Sequence, residues 1–301
     1  MAQVAAANNS FSIEIGGESA GHTKKVEGGT PKAESKTMHG GPLDRGFHIQ
    51  GNLSYNDLKS TILIGQSKAL INHMNQTLKN QPEPITAIAH ACDVGFKSKA
   101  QMEMTGLWIS EINFNKLDAN SGEAFYADFV HKIEVCKYKK GDDKVVQGMG
   151  IKQADQWRCN SFEVQLGSMP TDHVITCEIP KVSQKFKELR VGKRRDYTWI
   201  PSVVEIGDLK LQMPMTHGWS EWSTLAETYL VKGDMTLANE MDGSISFLSP
   251  KGDNLGELEI YGCTLTDVSA DALDSSADSI RTFTVTCKVR NMLLKPEKTD
   301  M

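Results

Sequence analysis

Apolar and polar residues alternate along much of the chain, which is the two-residue period of a half-buried β-strand. The clearest runs are TGLWISEINF, which begins at Thr105, and YGCTLTDVSA, which begins at Tyr261. The same period, bounded by turn-forming residues, recurs in shorter runs around them. It predicts strands near residues 11–16, 22–28, 46–53, 101–105, 107–114 and 127–138, and near 174–179, 185–191, 203–213, 243–248, 256–268 and 279–290. We therefore expect a mainly β protein.

Two stretches have helical spacing instead. Across residues 67–80, apolar residues and His73 recur every three or four positions until NQPEP ends the pattern. We interpret His73 as a half-buried helix residue and not as a ligand. The second stretch is 219–233, where we expect Ser223 to be the N-cap and Gly233 the C-cap. One helix beside each group of strands could cover an open face or end of the sheets.

The two clearest alternating runs are also copies of each other. Gly262 follows Gly106 by 156 positions, and an identical Leu-Asp pair recurs at Leu117-Asp118 and Leu273-Asp274. Internal repetition indicates a repeated structural unit. Because each Leu-Asp pair comes just before a turn, we expect the leucine to pack inward and the aspartate to form an Asx turn.

Stretches on both sides extend the repeat. Residues 129–138 parallel 280–289 at an offset shorter by about six residues, so we expect a longer turn in the first copy. Residues 11–29 likewise parallel 174–193. We infer a duplicated unit and divide the chain accordingly: 1–140 for the first domain, 141–170 for a polar, glycine-rich linker and 171–301 for the second domain.

Composition agrees with two globular domains. The chain has 301 residues, of which 39% are apolar and 24% charged, and its net charge is −5. This balance is not that of a nucleic-acid-binding protein, and the basic run at 192–196 is interpreted as a solvated loop. The first residues do not have the pattern of a secretory signal, and no apolar run is long enough to predict a membrane span. Six scattered cysteines are typical of reduced, buried thiols in a chain made in the cytoplasm.

Residue patterns that carry chemistry are absent from the sequence. The eight histidines are dispersed, and no HExxH, CxxC, P-loop or GxGxxG pattern occurs. Acidic pairs such as Asp142-Asp143 have no identifiable partner for acid–base catalysis. We therefore expect neither an enzyme nor a bound metal or cofactor. Two long loops, 28–46 and 192–202, occupy matching places in the two copies, and loops of this length often form interactions.

Taken together, these stretches resemble the tail tube family, the inner tube proteins of bacteriophage tails and contractile injection systems. Members open with a strand like FSIEIGG and a strand ending in Val-x-Gly, as in KKVEGG. They close with a hairpin like LEIYGCTLTDVSADALDSSADSIRTFTVTCKV. The resemblance covers residues 11–138 and 172–290 and consists of patterns, not catalytic signatures. It implies two tandem tail-tube-like β-barrel or sandwich domains, each with one flanking α-helix.

The resemblance also implies a function. A typical tube subunit has one such domain and forms six-membered rings, so two domains per chain imply a trimeric, pseudo-hexameric ring. Stacked rings would enclose a channel for DNA or a protein effector, with sheath or outer tail, baseplate and terminator proteins as partners. The protein would be made in the bacterial cytoplasm and assembled into a virion tail or injection particle. Contacts between rings are assigned to Lys32, Glu34, Arg45, Lys193, Arg194, Arg195 and Asp196. An inter-domain edge strand is assigned to 279–290, with Ile280, Phe283 and Val285.

Other interpretations remain open at this point. A baseplate hub or tube initiator would share the duplicated fold but occur in a single ring. A β-sandwich binding module would need exposed aromatic residues, which Trp219 and Trp222 could supply, although we interpret these two residues as anchors of the helix start. An enzyme of unknown chemistry is the last alternative.

Overall fold

The structure is a computed structural model that describes residues 10–39, 41, 46–146, 156–192, 197–216, 218–234, 236, 240–272 and 280–296. The fold is mainly β, with strands curled into a nearly closed, barrel-like sheet.

We call residues 10–146 the first half and 156–296 the second half. The first half contains β1 (Phe11–Ile15), β2 (Glu18–Ser19), β3 (Thr23–Glu27), β4 (Pro31–Met38), β5 (Phe47–Tyr55), β6 (Leu58–Leu63), α1 (Lys68–Leu78), β7 (Ile85–Cys92), β8 (Ser98–Phe114), β9 (Leu117–Asp118), β10 (Tyr126–Lys132) and β11 (Val135–Lys140). The second half contains β12 (Phe162–Leu166), β13 (Thr176–Glu178), β14 (Val182–Arg190), β15 (Tyr197–Ile206), β16 (Asp208–Pro214), α2 (Trp219–Ala226), β17 (Met241–Leu248), β18 (Asn254–Ala270), β19 (Thr282–Lys288) and β20 (Asn291–Pro296).

The same order of strand pairings occurs in both halves. It runs β1-β7-β8-β10-β6-β3 in the first half and β12-β17-β18-β19-β16-β13 in the second. A last strand, β11 or β20, pairs with the beginning of the long strand β8 or β18. The registers agree as well: Phe129 lies opposite Ile112, Val285 lies opposite Val268, and a bulge follows in each pair. Two segments of one chain therefore have one topology.

The repeated glycines stand where the long strands change neighbours. Before Gly106, β8 lies between β7 and β11, and after it β8 pairs with β10. Gly262 occupies the same place in β18. Gly106 has φ 67° and Gly262 φ 65°, a left-handed conformation that costs other residues about 1–2 kcal/mol. The repeated glycines thus let each 17-residue strand pair with one set of strands before the glycine and with another after it.

Replacing either glycine by alanine should lower stability. We expect Gly106→Ala and Gly262→Ala each to reduce the free energy of unfolding by about 1–2 kcal/mol or more, because the strain adds to close contact with Glu134 or Arg290. Chemical denaturation measures this loss. Gly122→Ala is the matched control, since an added Cβ there meets no atom within 4 Å. Equal stability of all three variants would contradict the assignment.

The helices differ in how they begin. Helix α1 has Ser67 as its N-cap, and the Ser67 hydroxyl accepts a hydrogen bond from Leu70 N at 3.2 Å. Helix α2 begins after Gly218, which has φ 73° and forms no side-chain cap. The prediction of Ser223 as the N-cap is wrong. Ser223 lies inside α2, and its hydroxyl donates a hydrogen bond to Ser220 O at 3.0 Å. A π-helical turn at Glu227–Val231 follows α2.

One hydrophobic core runs through both halves. An aromatic stack crosses the junction: the ring centroids of Phe125 and Phe247 lie 4.6 Å apart, as do those of Trp157 and Phe247. Phe125 and Phe247 are completely buried. Because close-packed aromatic rings contribute both burial and oriented contacts, this stack holds the halves together.

The strand pairings correct the sequence alignment downstream of the repeated glycines. The offset stays at 156 through β10 and β19, because Phe129 corresponds to Val285. The longer turn expected in the first copy is therefore wrong. Upstream, residues 10–16 correspond to 161–167, since β1 pairs with β7 and β12 pairs with β17. Alternating strands resemble one another, so a match in sequence alone selected the wrong partner.

Two further expectations change with the pairings. The range 141–170 is not a linker throughout, because β12 at 162–166 is the first strand of the second half. The loop expected at 28–46 contains β4, which forms a hairpin with β5. In the same way, part of the loop expected at 192–202 belongs to β15, which forms a hairpin with β14. Both hairpins carry many polar residues on exposed faces, so their sequences resemble loops.

Candidate assembly surfaces

Groups suited to chemistry are not brought together in the part of the chain that the structure describes. No cluster of three or more His, Cys, Asp or Glu side chains could hold a metal ion among those residues. Burial raises the pKa of the Cys159 thiol to about 11 and those of Cys263 and Cys287 to about 12, so these thiols stay protonated near neutral pH. Both described helices fall short of the length and apolar character that a bilayer-spanning helix needs.

The two halves are joined by strand pairing. Val182, at the start of β14, lies opposite Ile112 of β8. Leu117-Asp118 forms β9, which pairs with Cys177 and Thr176 of β13. These links connect the sheets of the two halves edge to edge, so that β-strand hydrogen bonding continues from one half into the other.

The first Leu-Asp pair therefore has two roles. Leu117 is fully buried, and the carboxylate of Asp118 accepts a hydrogen bond from Asn120 N at 2.8 Å. This geometry confirms the expected inward leucine and Asx turn. In addition, the backbone of Ala119 donates to Ile175 O at 2.9 Å, which fixes the turn to the other half. The second pair, Leu273-Asp274, lies outside the described residues.

The β14–β15 hairpin also packs against the first half. Trp199 N and Trp108 Nε1 both donate to the Glu134 carboxylate at 3.1 Å. Trp199 Nε1 donates to Ile133 O, also at 3.1 Å. The ammonium group of Lys132 lies 5.2 Å from the centre of the Trp199 ring, a cation–π distance. These contacts hold the hairpin against the first half near its turn, where Trp199 lies opposite Glu188.

A third contact joins α1 to the last strand of the second half. The Asn75 side-chain amide donates to Leu294 O at 2.8 Å and accepts from Leu294 N at 3.0 Å. It thereby satisfies both backbone groups of that residue on the outer edge of β20. Leu294 and its neighbour Met292 are buried beneath the helix.

The contact between the halves is head-to-tail. The first half contributes the end of β8, β9 and α1, whereas the second contributes β13, the start of β14 and β20. Because the halves share one topology, each also carries the other's surface. Among the described residues, no strand pairs with the outer edge of β18 at Thr264–Ala270, of β3 or of β11. In the described part of the chain, the strand edges that correspond to the internal contact are therefore unpaired.

The structure places the residues assigned to ring contacts as follows. Lys32 and Glu34 are exposed on β4, in the projecting β4–β5 hairpin. Exposed apolar side chains on the same hairpin include Met38 and Phe47, the latter with 54% of its surface accessible. Arg45, Lys193, Arg194, Arg195 and Asp196 lie outside the described residues.

The assigned edge strand is wrong. Strand β19 lies between β16 and β18, and both of its sides are paired. Phe283 and Val285 are completely buried in the core, while Ile280 is exposed before the strand begins. Among the described residues, β18 at Thr264–Ala270, β3 and β11 each have an edge with no paired strand. Their sequence signal is weak, because an alternating strand has the same period whether it is central or at an edge.

Comparisons with known proteins found structural likeness alone. No family model and no curated protein matches the chain. A protein of the PVC sheath–tube complex, from an extracellular contractile injection system in the extended state, is 15% identical and has a TM-score of 0.37, covering 45% of this chain and 88% of its own. The tube-terminating cap of the anti-feeding prophage is 17% identical, with a TM-score of 0.37 over 52% of this chain and 96% of its own. A protein of the anti-feeding prophage baseplate is 12% identical, with a TM-score of 0.36 over 46% and 92%.

Proposed function

We propose that this protein is a structural subunit of the inner tail tube of a phage or contractile injection system. The observation that carries the proposal is the head-to-tail contact between the halves, which leaves one open copy of each contacting surface. A heterologous contact repeated between molecules forms a closed ring when its rotation closes. Two duplicated tube domains per chain and three chains per ring give six equivalent positions.

Ring closure would pair the free sheet edges. Val268 of β18 corresponds to Ile112, and Pro31 of β4 corresponds to Val182. We therefore expect the β18 edge of one chain to receive the beginning of β4 from the next chain. Exposed strand edges in a lone monomer would favour uncontrolled association, and a closed ring removes them.

The outer face of the joined sheet is suited to a water-filled channel. It carries three ion pairs: Lys181 with Glu111 at 2.8 Å, Lys210 with Glu178 at 3.4 Å and Lys288 with Asp208 at 3.5 Å. We assign this hydrophilic face to the channel wall. Because the charges are balanced locally, DNA or a protein effector would meet little net attraction there.

The hairpins would join successive rings, and the finished tube would meet sheath, baseplate and terminator proteins. The β4–β5 hairpin supports this role because its strands pair with each other and with no further strand among the described residues. Exposed Met38, Phe47 and Ile49 give it an apolar surface. Such clustered apolar exposure favours protein contacts.

Negative-stain electron microscopy of the purified full chain tests the proposal. We expect rings with a central hole at low concentration and stacked tubes at high concentration. Rings that never stack would instead favour a baseplate hub or tube initiator, which shares the ring contact. Particles without a hole at every concentration would contradict ring formation and the proposed function.

A further inference from the structure

The outer face of α2 has apolar side chains that its counterpart buries. Met74 and Leu78 of α1 are at most 4% exposed. The corresponding part of the second half holds Leu225 and Tyr229, which are only partly buried, and Leu230, which is 43% exposed. We call these three residues the α2 face, although Tyr229 and Leu230 lie in the π-helical turn that follows α2. The difference arises because α1 lies against the other half of the chain, whereas Leu225 and Tyr229 are covered only in part by the core and Leu230 is exposed.

A groove on the first half matches the surface that α1 covers on the second. It has a volume of about 530 Å³ and is lined by Phe11, Ala89, Ala91, Met102 and Tyr138, among others. Tyr138, on β11, is 60% exposed.

The positions corresponding to this groove in the second half are filled. Ile245, Phe247, Leu258 and Leu294 correspond to Ala89, Ala91, Met102 and Tyr138, and each is at most 1% exposed. Phe125 and Asn75 of the first half lie against Phe247 and Leu294. In the internal contact, a helix from the other half therefore covers Leu294, the counterpart of Tyr138.

Charge is complementary between the α2 face and β11. Glu221 is exposed on α2, with no ion pair among the described residues, and Ser220 lowers its pKa by donating a hydrogen bond. Lys140 is exposed on β11, on the same face as Tyr138, and is also without an ion pair in that part of the chain. Opposite charges on facing surfaces guide association and fix its register.

We propose that the α2 face of one chain docks on β11 and the adjoining groove of a second copy of the same chain. This inference rests on the proposed ring and names a contact that closes it. Ala226 stands at the position of Asn75, so the edge of β11 receives no amide there. At this position the contact between chains is therefore formed by apolar and charged side chains, whereas the contact within the chain includes the hydrogen bonds of Asn75.

Cross-linking tests the geometry directly. We would introduce cysteines by Ala226→Cys and Tyr138→Cys and treat the full chain with a short bis-maleimide. The expected result is a covalent dimer and trimer on a denaturing gel, above the background from the parent chain. The matched control, Asn75→Cys with Leu294→Cys, should link within one chain, which then still migrates as a monomer on the gel.

A substitution provides the second test. Tyr229→Asp should weaken ring formation more than about tenfold, because it places a charge in an apolar contact. Val203→Asp, at a 67% exposed position on β15, should leave ring closure unchanged. Circular dichroism of both variants shows that they fold.

The outcomes separate the inference from the proposed function. The inference would be overturned if Tyr229→Asp formed rings as readily as the parent and no link formed between positions 226 and 138. That result would still be consistent with the proposed ring. A parent chain that forms no rings and no linked oligomers would overturn both.

Discussion

Phe247→Ala is expected to lower the free energy of unfolding by about 3–5 kcal/mol, the usual cost of truncating a buried aromatic side chain. Phe247 is completely buried, and its ring lies 4.6 Å from those of both Phe125 and Trp157. The substitution would leave a cavity at the junction of the halves. Because one core spans the junction, we expect both halves to lose stability in a single unfolding transition. Urea denaturation followed by tryptophan fluorescence measures the change.

Phe47→Ala is the matched control for this experiment. Phe47 is 54% exposed on the β4–β5 hairpin, so the same truncation there should change stability by less than about 0.5 kcal/mol. A small loss for Phe247→Ala, or a second transition in the parent chain, would show that the halves are not joined through this stack.

Acid should destabilise the protein through a buried histidine pair. His73 and His131 stack with ring centroids 6.1 Å apart, and their ring nitrogens have no hydrogen-bond partner among the described residues. Burial lowers the pKa of His73 to about 4, and burial together with the charge of His73 lowers that of His131 to about 3. Both values lie below the pKa of about 6.5 for an unfolded histidine.

The sign follows from the number of bound protons. Below pH 6.5 the unfolded chain takes up protons that the folded chain excludes, so stability falls as pH decreases from 6.5 towards 4. Between pH 7 and pH 5 we expect a loss of about 2 kcal/mol for each histidine. Urea denaturation at several pH values within this range measures it, above the range in which most carboxylates titrate.

Two variants isolate this effect. His131→Leu replaces the buried imidazole with an apolar side chain and should reduce the pH dependence by about half. His48→Leu removes an exposed histidine of β5 and should leave the pH dependence as it is in the parent. An unchanged pH dependence in His131→Leu would contradict the assignment to the buried pair.

The regular elements could be predicted from the sequence because each has one dominant periodicity. The alternation around Gly106 and Gly262 located both long strands, and the apolar spacing at 67–80 located α1. The role of Asp118 also followed from its place before a turn. The start of α2 could not be predicted in this way, because Gly218 begins the helix through its backbone conformation and not through a side-chain cap.

Partner strands were harder to predict than the strands themselves. The match of 11–29 with 174–193 failed because alternating strands have interchangeable patterns, and only pairing with β7 or β17 distinguishes β1 and β12 from the others. The free edges of β18 and β11 were missed for the same reason. Pairing depends on contacts between distant residues, which local periodicity does not contain.

Molar mass in solution tests the central claim most directly. Light scattering coupled to size-exclusion chromatography should give about three times the 33.2 kDa of one chain for the ring, with larger species as the concentration rises. A constant 33.2 kDa across a wide concentration range would contradict the account, because the open copies of the head-to-tail surfaces would then remain unpaired.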